Sequence, residues 1–209
     1  MTAIVDRHPD RIELYFATRA DNFVSAFGLL PEQLTGSSGT VNFAELRNGT
    51  FDIGDAMFSS VQPSLDGDPL AFEAMSLMVH PTEDAPQVQT PLEAFIAMGV
   101  CAVDAPSQAP LLSDLQGYAG YIAYAEDPYG ALTLSLPETG REDLKLTVLD
   151  FRKGEPVASH QISVADGGEI DIAPLPGGFA YGHLLGLFLV LLAAGGGTIP
   201  LLRRKQDHS

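Results

Sequence analysis

Along residues 1–172 apolar and polar side chains alternate over short runs more often than they recur at helical spacing. Arg11 to Phe16 sets Ile12, Leu14 and Phe16 against mostly polar neighbours, and Ala131 to Leu136 sets Leu132, Leu134 and Leu136 against Thr133 and Ser135. A period of two sends successive side chains to opposite faces, so both runs predict half-buried strands. Leu144 to Phe151 and Val157 to Val164 are two further β-rich runs. The connection Arg152-Lys153-Gly154-Glu155-Pro156 between them holds Gly and Pro and predicts a hairpin with a five-residue link. Asp166-Gly167-Gly168 then turns the chain into Glu169 to Ile172, a last strand from which the body hangs.

Helical patterns are fewer and short. Asp21 to Leu30 places Phe23, Ala26, Phe27 and Leu30 on one side and should stop at Pro31. Pro91 to Met98 follows Thr90, a capping residue, with proline at the first helical position. Asn48-Gly49-Thr50 has the form of a glycosylation sequon, but Asn-Gly between Val41 to Leu46 and Thr50 to Ile53 predicts a tight turn between two strands. With 15 prolines and 21 glycines punctuating short apolar runs, the body is expected to be mainly β. A sandwich-like or α+β domain fits better than alternating βαβ units, and no internal repeat is visible.

The pattern changes at residue 179. Phe179 to Leu202 carry no formal charge and lead directly into Arg203, Arg204 and Lys205. At about 1.5 Å per residue this run makes roughly 36 Å of helix, enough for a hydrocarbon core of about 30 Å. It predicts one transmembrane helix, with Leu184, Leu187, Phe188 and Leu191 in its apolar part and Arg203 and Arg204 as the basic end. Gly195, Gly196, Gly197 and Pro200 disfavour helix and leave a buried core helix as the competing reading. His183 is expected in the headgroup region beside Tyr181. The expected plan is a soluble domain at 1–173, a Pro/Gly linker at 174–178, the span at 179–202 and a basic polar tail at 203–209.

Charge sharpens that plan. Residues 1–178 hold 26 acids against 8 Lys and Arg, whereas residues 179–209 hold three bases and Asp207. From Asn48 to Gly140 there are 13 acids and no lysine or arginine. No basic phosphate clamp can be assembled there, so nucleic acid is excluded as an expected partner, and anionic headgroups repel such a body. The positive-inside rule puts Arg203, Arg204 and Lys205 in the cytoplasm and the body outside. The residues from Met1 to Asp10 lack the apolar stretch of a secretory leader, which points instead to a cytosolic, tail-anchored body. The charge rule is preferred here, giving an extracytoplasmic body and a cytoplasmic C-terminus.

Candidate chemistry is sparse. The five histidines are dispersed with no HExxH or HxH pair, and neither a CxxC, a GxSxG elbow nor a GxxxxGK[ST] loop occurs. Cys101 lies in the apolar stretch Ala97 to Val103 and is expected to be buried and structural. Gly36-Ser37-Ser38-Gly39 reads as a connector. Asp66-Gly67-Asp68, Glu83-Asp84 and Glu126-Asp127 read as solvated turns, lacking the EF-hand pattern. Tyr118, Tyr121, Tyr124 and Tyr129 fall within twelve residues among Gly117, Gly120 and Gly130. They form either a contact surface or, as preferred, a strand whose tyrosines pack at the rim of a sheet.

Ala173-Pro174-Leu175-Pro176-Gly177-Gly178, followed by the apolar run and Arg203-Arg204-Lys205, resembles the C-terminal sorting signals of exported bacterial proteins of the PEP-CTERM type. The resemblance covers residues 173–209. It implies recognition of the tail by a membrane protease, although Gln206 to Ser209 extend past the basic cluster on which such tails normally end. Leu46 to Gly54 is similar to a nine-residue segment of extracytoplasmic solute-binding proteins and implies a strand after the Gly turn. Together these readings predict a single-pass, non-enzymatic accessory, adaptor or surface protein without a cofactor or metal. Its expected partners are membrane lipid and protein at the membrane. The alternative is a membrane-tethered module for a solute, a glycan or calcium.

Overall fold

A computed structural model describes residues 1–29, 31–35, 40–41, 43–99, 111–139, 141–164 and 167–175. Strands β1 (Thr2–Arg7) and β2 (Arg11–Arg19) open the chain as an antiparallel hairpin. The helices α1 (Ala20–Phe27), α2 (Pro31–Thr35), α3 (Phe43–Asn48) and α4 (Thr50–Ser59) follow, and then β3 (Gln62–Leu65), β4 (Asp68–Pro69) and β5 (Glu73–Pro81). After α5 (Pro91–Gly99) come β6 (Leu115–Tyr124), β7 (Leu132–Leu136), β8 (Lys145–Arg152), β9 (Glu155–Ser163) and β10 (Gly168–Ile172). The body is mainly β, as its alternation predicts. Six strands order as β5-β6-β2-β1-β8-β9 and four as β10-β7-β3-β4. Every pairing is antiparallel except β1 with β8, because the chain leaves the first hairpin on the β2 side and returns on the β1 side.

The six-stranded sheet is buried on two sides of unequal depth. On face one, Val5, Ile12, Leu14, Phe16, Tyr121 and Val148 join Phe23 and Phe27 of α1 and Met57 and Phe58 of α4. Leu132, Leu134, Ile170 and Ile172 of the second sheet complete the same core. Each fully buried Leu or Phe contributes about 1.5–3 kcal/mol of burial, so this cluster dominates the stability of the fold. On face two, Ile4, Tyr15, Tyr118 and Phe151 form a smaller hydrophobic cluster with Ala94, Ala97 and Met98 of α5. Two glycines of β6 set these contacts. A Cβ at Gly117 would strike the Phe23 ring of α1, and one at Gly120 would strike Met98 of α5.

Local signals account for several element ends. Thr90 and Glu93 form a reciprocal capping box: the Glu93 N–H donates to Thr90 Oγ1 at 3.3 Å, and the Thr90 N–H donates to Glu93 Oε2 at 3.0 Å. The Gln89 N–H donates to the same carboxylate oxygen and is the main reason that the Glu93 carboxyl lies below its usual range. α5 therefore starts where the Thr-Pro pair predicts it.

Three expectations are corrected. Helix α1 ends at Gly28, φ 64°, before Pro31, which opens α2 instead. The β8–β9 connection is a two-residue turn, not five: Arg152 pairs with Glu155, and Lys153 and Gly154 take φ 54° and 81°. Positive φ at both central positions matches the right-handed twist of the flanking strands. Asn48-Gly49 does not join two strands, since α3 and α4 flank it. Ile53, Gly54, Met57 and Phe58 are buried at a helical period, and the Ile53 N–H bonds to the Gly49 carbonyl at 2.9 Å. The strand implied by the Leu46 to Gly54 resemblance is accordingly absent.

One compact unit spans Met1–Leu175. It closes on Leu175, whose side chain is buried and whose N–H bonds to the Tyr129 carbonyl at 2.8 Å. The predicted span with Leu184, Leu187, Phe188 and Leu191, the basic residues Arg203 and Arg204, Cys101 and the Gly36 to Gly39 connector lie outside the described residues. Among the described residues no helix is long and apolar enough to cross a membrane.

Candidate functional site

Strand β1 ends in a run of polar side chains, Asp6-Arg7-His8, and strand alternation sends them to opposite faces. Arg7 turns into face one and is wholly buried. Its Nε donates to Asp150 Oδ1 at 3.3 Å across the parallel β1–β8 pair, and it also donates to the carbonyls of Gly130 and Ala173, the latter at 3.0 Å. One guanidinium thus ties β1 to the loop before β7 and to the segment after β10. Burial pushes the Asp150 carboxyl up, and the Arg7 charge pulls it back only in part. The guanidinium stays charged throughout, so this is a structural clamp around a desolvated ion pair.

Asp6 and His8 face the other way, toward face two. The β1–β2 register sets Asp6 opposite Glu13, and the turn is closed by the His8 N–H donating to the Arg11 carbonyl at 2.9 Å. His8 Nε2 then lies 3.1 Å from Asp6 Oδ2 and 3.6 Å from Glu13 Oε2. The outer sides of both carboxylates are already engaged. Asp6 Oδ1 accepts the Gly154 N–H at 3.0 Å, Glu13 Oε1 accepts Arg11 Nε at 2.7 Å, and Tyr15 Oη donates to Glu13 Oε2 at 2.8 Å. Burial, with the hydrogen bond to Glu13 next, raises the Tyr15 phenol far above its usual range and keeps it a donor. His8 Nε2 is closed to solvent and makes no hydrogen bond to either neighbour. Among the described residues this is the group whose ligand atoms converge as in a metal site.

Two further features occupy face two. The helix α5 buries Ala94, Ala97 and Met98 but presents Leu92 (67 % exposed), Phe95 (55 %) and Ile96 (48 %) to solvent. Their spacing puts these three on one stripe. Between the segment that leads into α5 and the β8–β9 hairpin runs an open groove of about 630 Å³, floored by Leu149 and Phe151 and walled by Gln87, Gln89, Thr147 and Ser159.

The tyrosine cluster is not brought together. Tyr118 and Tyr121 are buried on opposite faces of β6, where Tyr118 Oη donates to the Pro86 carbonyl at 2.6 Å and Tyr121 Oη to the Gly54 carbonyl at 3.0 Å. Burial pushes the Tyr118 phenol up to about 12. Tyr124 is exposed at the strand end, and Tyr129 lies under the Arg152 guanidinium, 4.5 Å from its ring centre. Of the acidic pairs, Asp66 Oδ1 accepts the N–H of the remote Ala131, and Asp127 Oδ1 accepts the Tyr129 N–H within its own turn.

The Asp6, His8 and Glu13 group contains neither an HxH nor an HExxH pair and so has no local histidine motif. Its signal is the Asp-x-His spacing on a strand followed by a tight turn and an acid on the paired strand. No family model, characterised protein or solved structure matches this chain.

Proposed function

We propose that the protein is a single-pass, membrane-anchored adaptor or accessory subunit whose body binds a partner protein through α5. The observation that carries this reading is the solvent-facing stripe Leu92, Phe95 and Ile96. A helix fitted only to its own sheet needs no apolar side chains on its outer face, and aromatic and aliphatic anchors of this kind centre protein interfaces. Glu93 lies in the first turn of the same helix, and no lysine or arginine occurs between Asn48 and Gly140. The partner therefore presents an apolar patch rimmed by lysine or arginine. The acidic body argues against an anionic lipid surface as the occupant.

The proposed anchor is 179–202, with Arg203 and Arg204 in the cytoplasm and the body outside, supported by the charge bias of the chain. Protease protection of intact cells checks this: digestion of the body from outside is expected, and protection until the membrane is opened would reverse the orientation. The partner is tested by a photo-cross-linking residue at Phe95 of the full chain in native membranes, with Phe51, exposed on α4, as the reference position. A discrete cross-linked protein at Phe95, absent at Phe51 and lost when Leu92 and Ile96 are both aspartate, is the expected result. Equal or no cross-linking at the two positions would overturn it. A second reading, a membrane-tethered module for a small ligand, is favoured by the groove over Leu149 and Phe151.

A further inference from the structure

We infer that Asp6, His8 and Glu13 form a binding site for one divalent transition-metal ion of the zinc class. This goes beyond the adaptor reading and does not depend on it. Three ligand atoms, from β1, the turn after it and β2, lie within 4.8 Å of one another. Bonds of about 2.0–2.2 Å from zinc to nitrogen or oxygen set neighbouring ligand atoms about 3.4 Å apart in a tetrahedron. His8 Nε2 is 3.1 Å from Asp6 Oδ2 and 3.6 Å from Glu13 Oε2, on either side of that separation. A small rotation of the Glu13 carboxylate draws in the remaining edge.

The donor set selects the ion. Imidazole with two carboxylates suits zinc, cobalt, nickel or copper, whereas calcium takes six to eight oxygens. The state of His8 Nε2 carries the argument further. It is closed to solvent, makes no hydrogen bond, and lies within 3.1 and 3.6 Å of two carboxylate oxygens. A neutral imidazole in that position offers its lone pair where a cation would meet both oxygens. The supports that a ligating carboxylate usually requires are also in place. Gly154 N–H holds the other oxygen of Asp6, Arg11 holds the other oxygen of Glu13, and Tyr15 Oη buttresses Glu13 Oε2. Three protein ligands leave a fourth position for water. Bound there, the ion pins the β1–β2 turn against the Lys153–Gly154 turn, to which Asp6 is already bonded.

The test uses the full chain in detergent, stripped with a chelator and titrated with zinc chloride by calorimetry. Calcium chloride is the comparison ion, and cobalt chloride supplies a visible ligand-field spectrum. One saturable zinc ion per chain, a nitrogen-containing cobalt spectrum and much weaker calcium binding are expected. His8→Gln, Glu13→Gln and Asp6→Asn should each weaken zinc binding at least about 100-fold, because even supporting substitutions cost about 10- to 100-fold. Tyr15→Phe should cost about 10-fold. Asp6→Asn keeps the oxygen that accepts the Gly154 N–H, and circular dichroism checks that each variant is folded. A Glu126→Gln, Asp127→Asn double variant on the exposed acidic surface should bind zinc as the wild type does. Absence of saturable one-to-one binding, or wild-type affinity in His8→Gln, overturns the site. The latter result would assign the zinc to the acidic surface at large.

Discussion

Arg7 and its neighbours Asp6 and His8 lie on one strand but meet opposite fates on its two faces. Toward face one, the Arg7 guanidinium is enclosed by Asp150 and the carbonyls of Gly130 and Ala173. Toward face two, Asp6, His8 and Glu13 converge on a point at which one nitrogen has no hydrogen-bond partner. The difference follows from what covers each face. Helices and a second sheet seal face one, so a charge there persists only if nearly every valence is met. Face two is covered by α5, so a polar group near the sheet end need not meet every valence within the fold. Polar clusters of similar composition thus serve the fold on one side and offer binding on the other.

The largest effect should come from breaking the closed cluster. Arg7→Ala strands a buried carboxylate and two carbonyls, and urea unfolding should register a loss of about 3–5 kcal/mol. Replacing both partners, Arg7→Met with Asp150→Leu, should recover the carboxylate's share and leave about 1–3 kcal/mol for the carbonyls. Equal losses in the single and double variants would contradict the clamp.

The helices that cover each face give the next comparison. Gly117→Ala drives a methyl into the Phe23 ring and should cost about 1–3 kcal/mol by the same assay. Gly120→Ala meets the end of the flexible Met98 side chain and should cost less. The opposite order would mean that α5 is the more rigidly seated helix. Thr90→Ala removes one half of the capping box of α5 and should cost about 1 kcal/mol in thermal unfolding. Because α5 carries the proposed docking stripe, the same variant should weaken cross-linking from Phe95.

The smallest effect belongs to an acid–base pair with no burial. A side-chain hydrogen bond from Arg141 holds the Asp143 carboxyl down to about 2. A folded value below the unfolded one contributes stability above the usual carboxylate range of about 4, which is lost as the pH falls toward 2. The stability difference between wild type and Asp143→Asn should therefore be small at pH 6 and vanish near pH 2, as melting curves at both values would show.

Much of the architecture was legible. Ile12, Leu14 and Phe16, and Leu132, Leu134 and Leu136, declared their strands through alternation, and Thr90-Pro91 declared the start of α5. The helices at Phe43–Asn48 and Thr50–Ser59 are not legible in the sequence, because an Asn-Gly pair is a strong turn signal whichever elements flank it. What made the second segment a helix is the burial of Ile53, Met57 and Phe58 beneath β5 and β6, which is a tertiary fact. Tyr118 and Tyr121 are close in sequence yet face apart, since three residues along a strand reverse the face.

By itself the sequence determined what depends on neighbours within a few residues: alternation, the cap that starts α5, and the acidic body ahead of an uncharged run. Only the tertiary structure decided which distant groups meet. Asp150 lies 143 residues from Arg7, and Gly154 lies 148 from Asp6. Both contacts depend on β8 returning beside β1 in parallel, and the register of that pairing is set by the packing of the whole sheet. Local propensity acts through the dihedrals of a few residues, whereas sites such as these arise only when folding brings remote segments to one strand end.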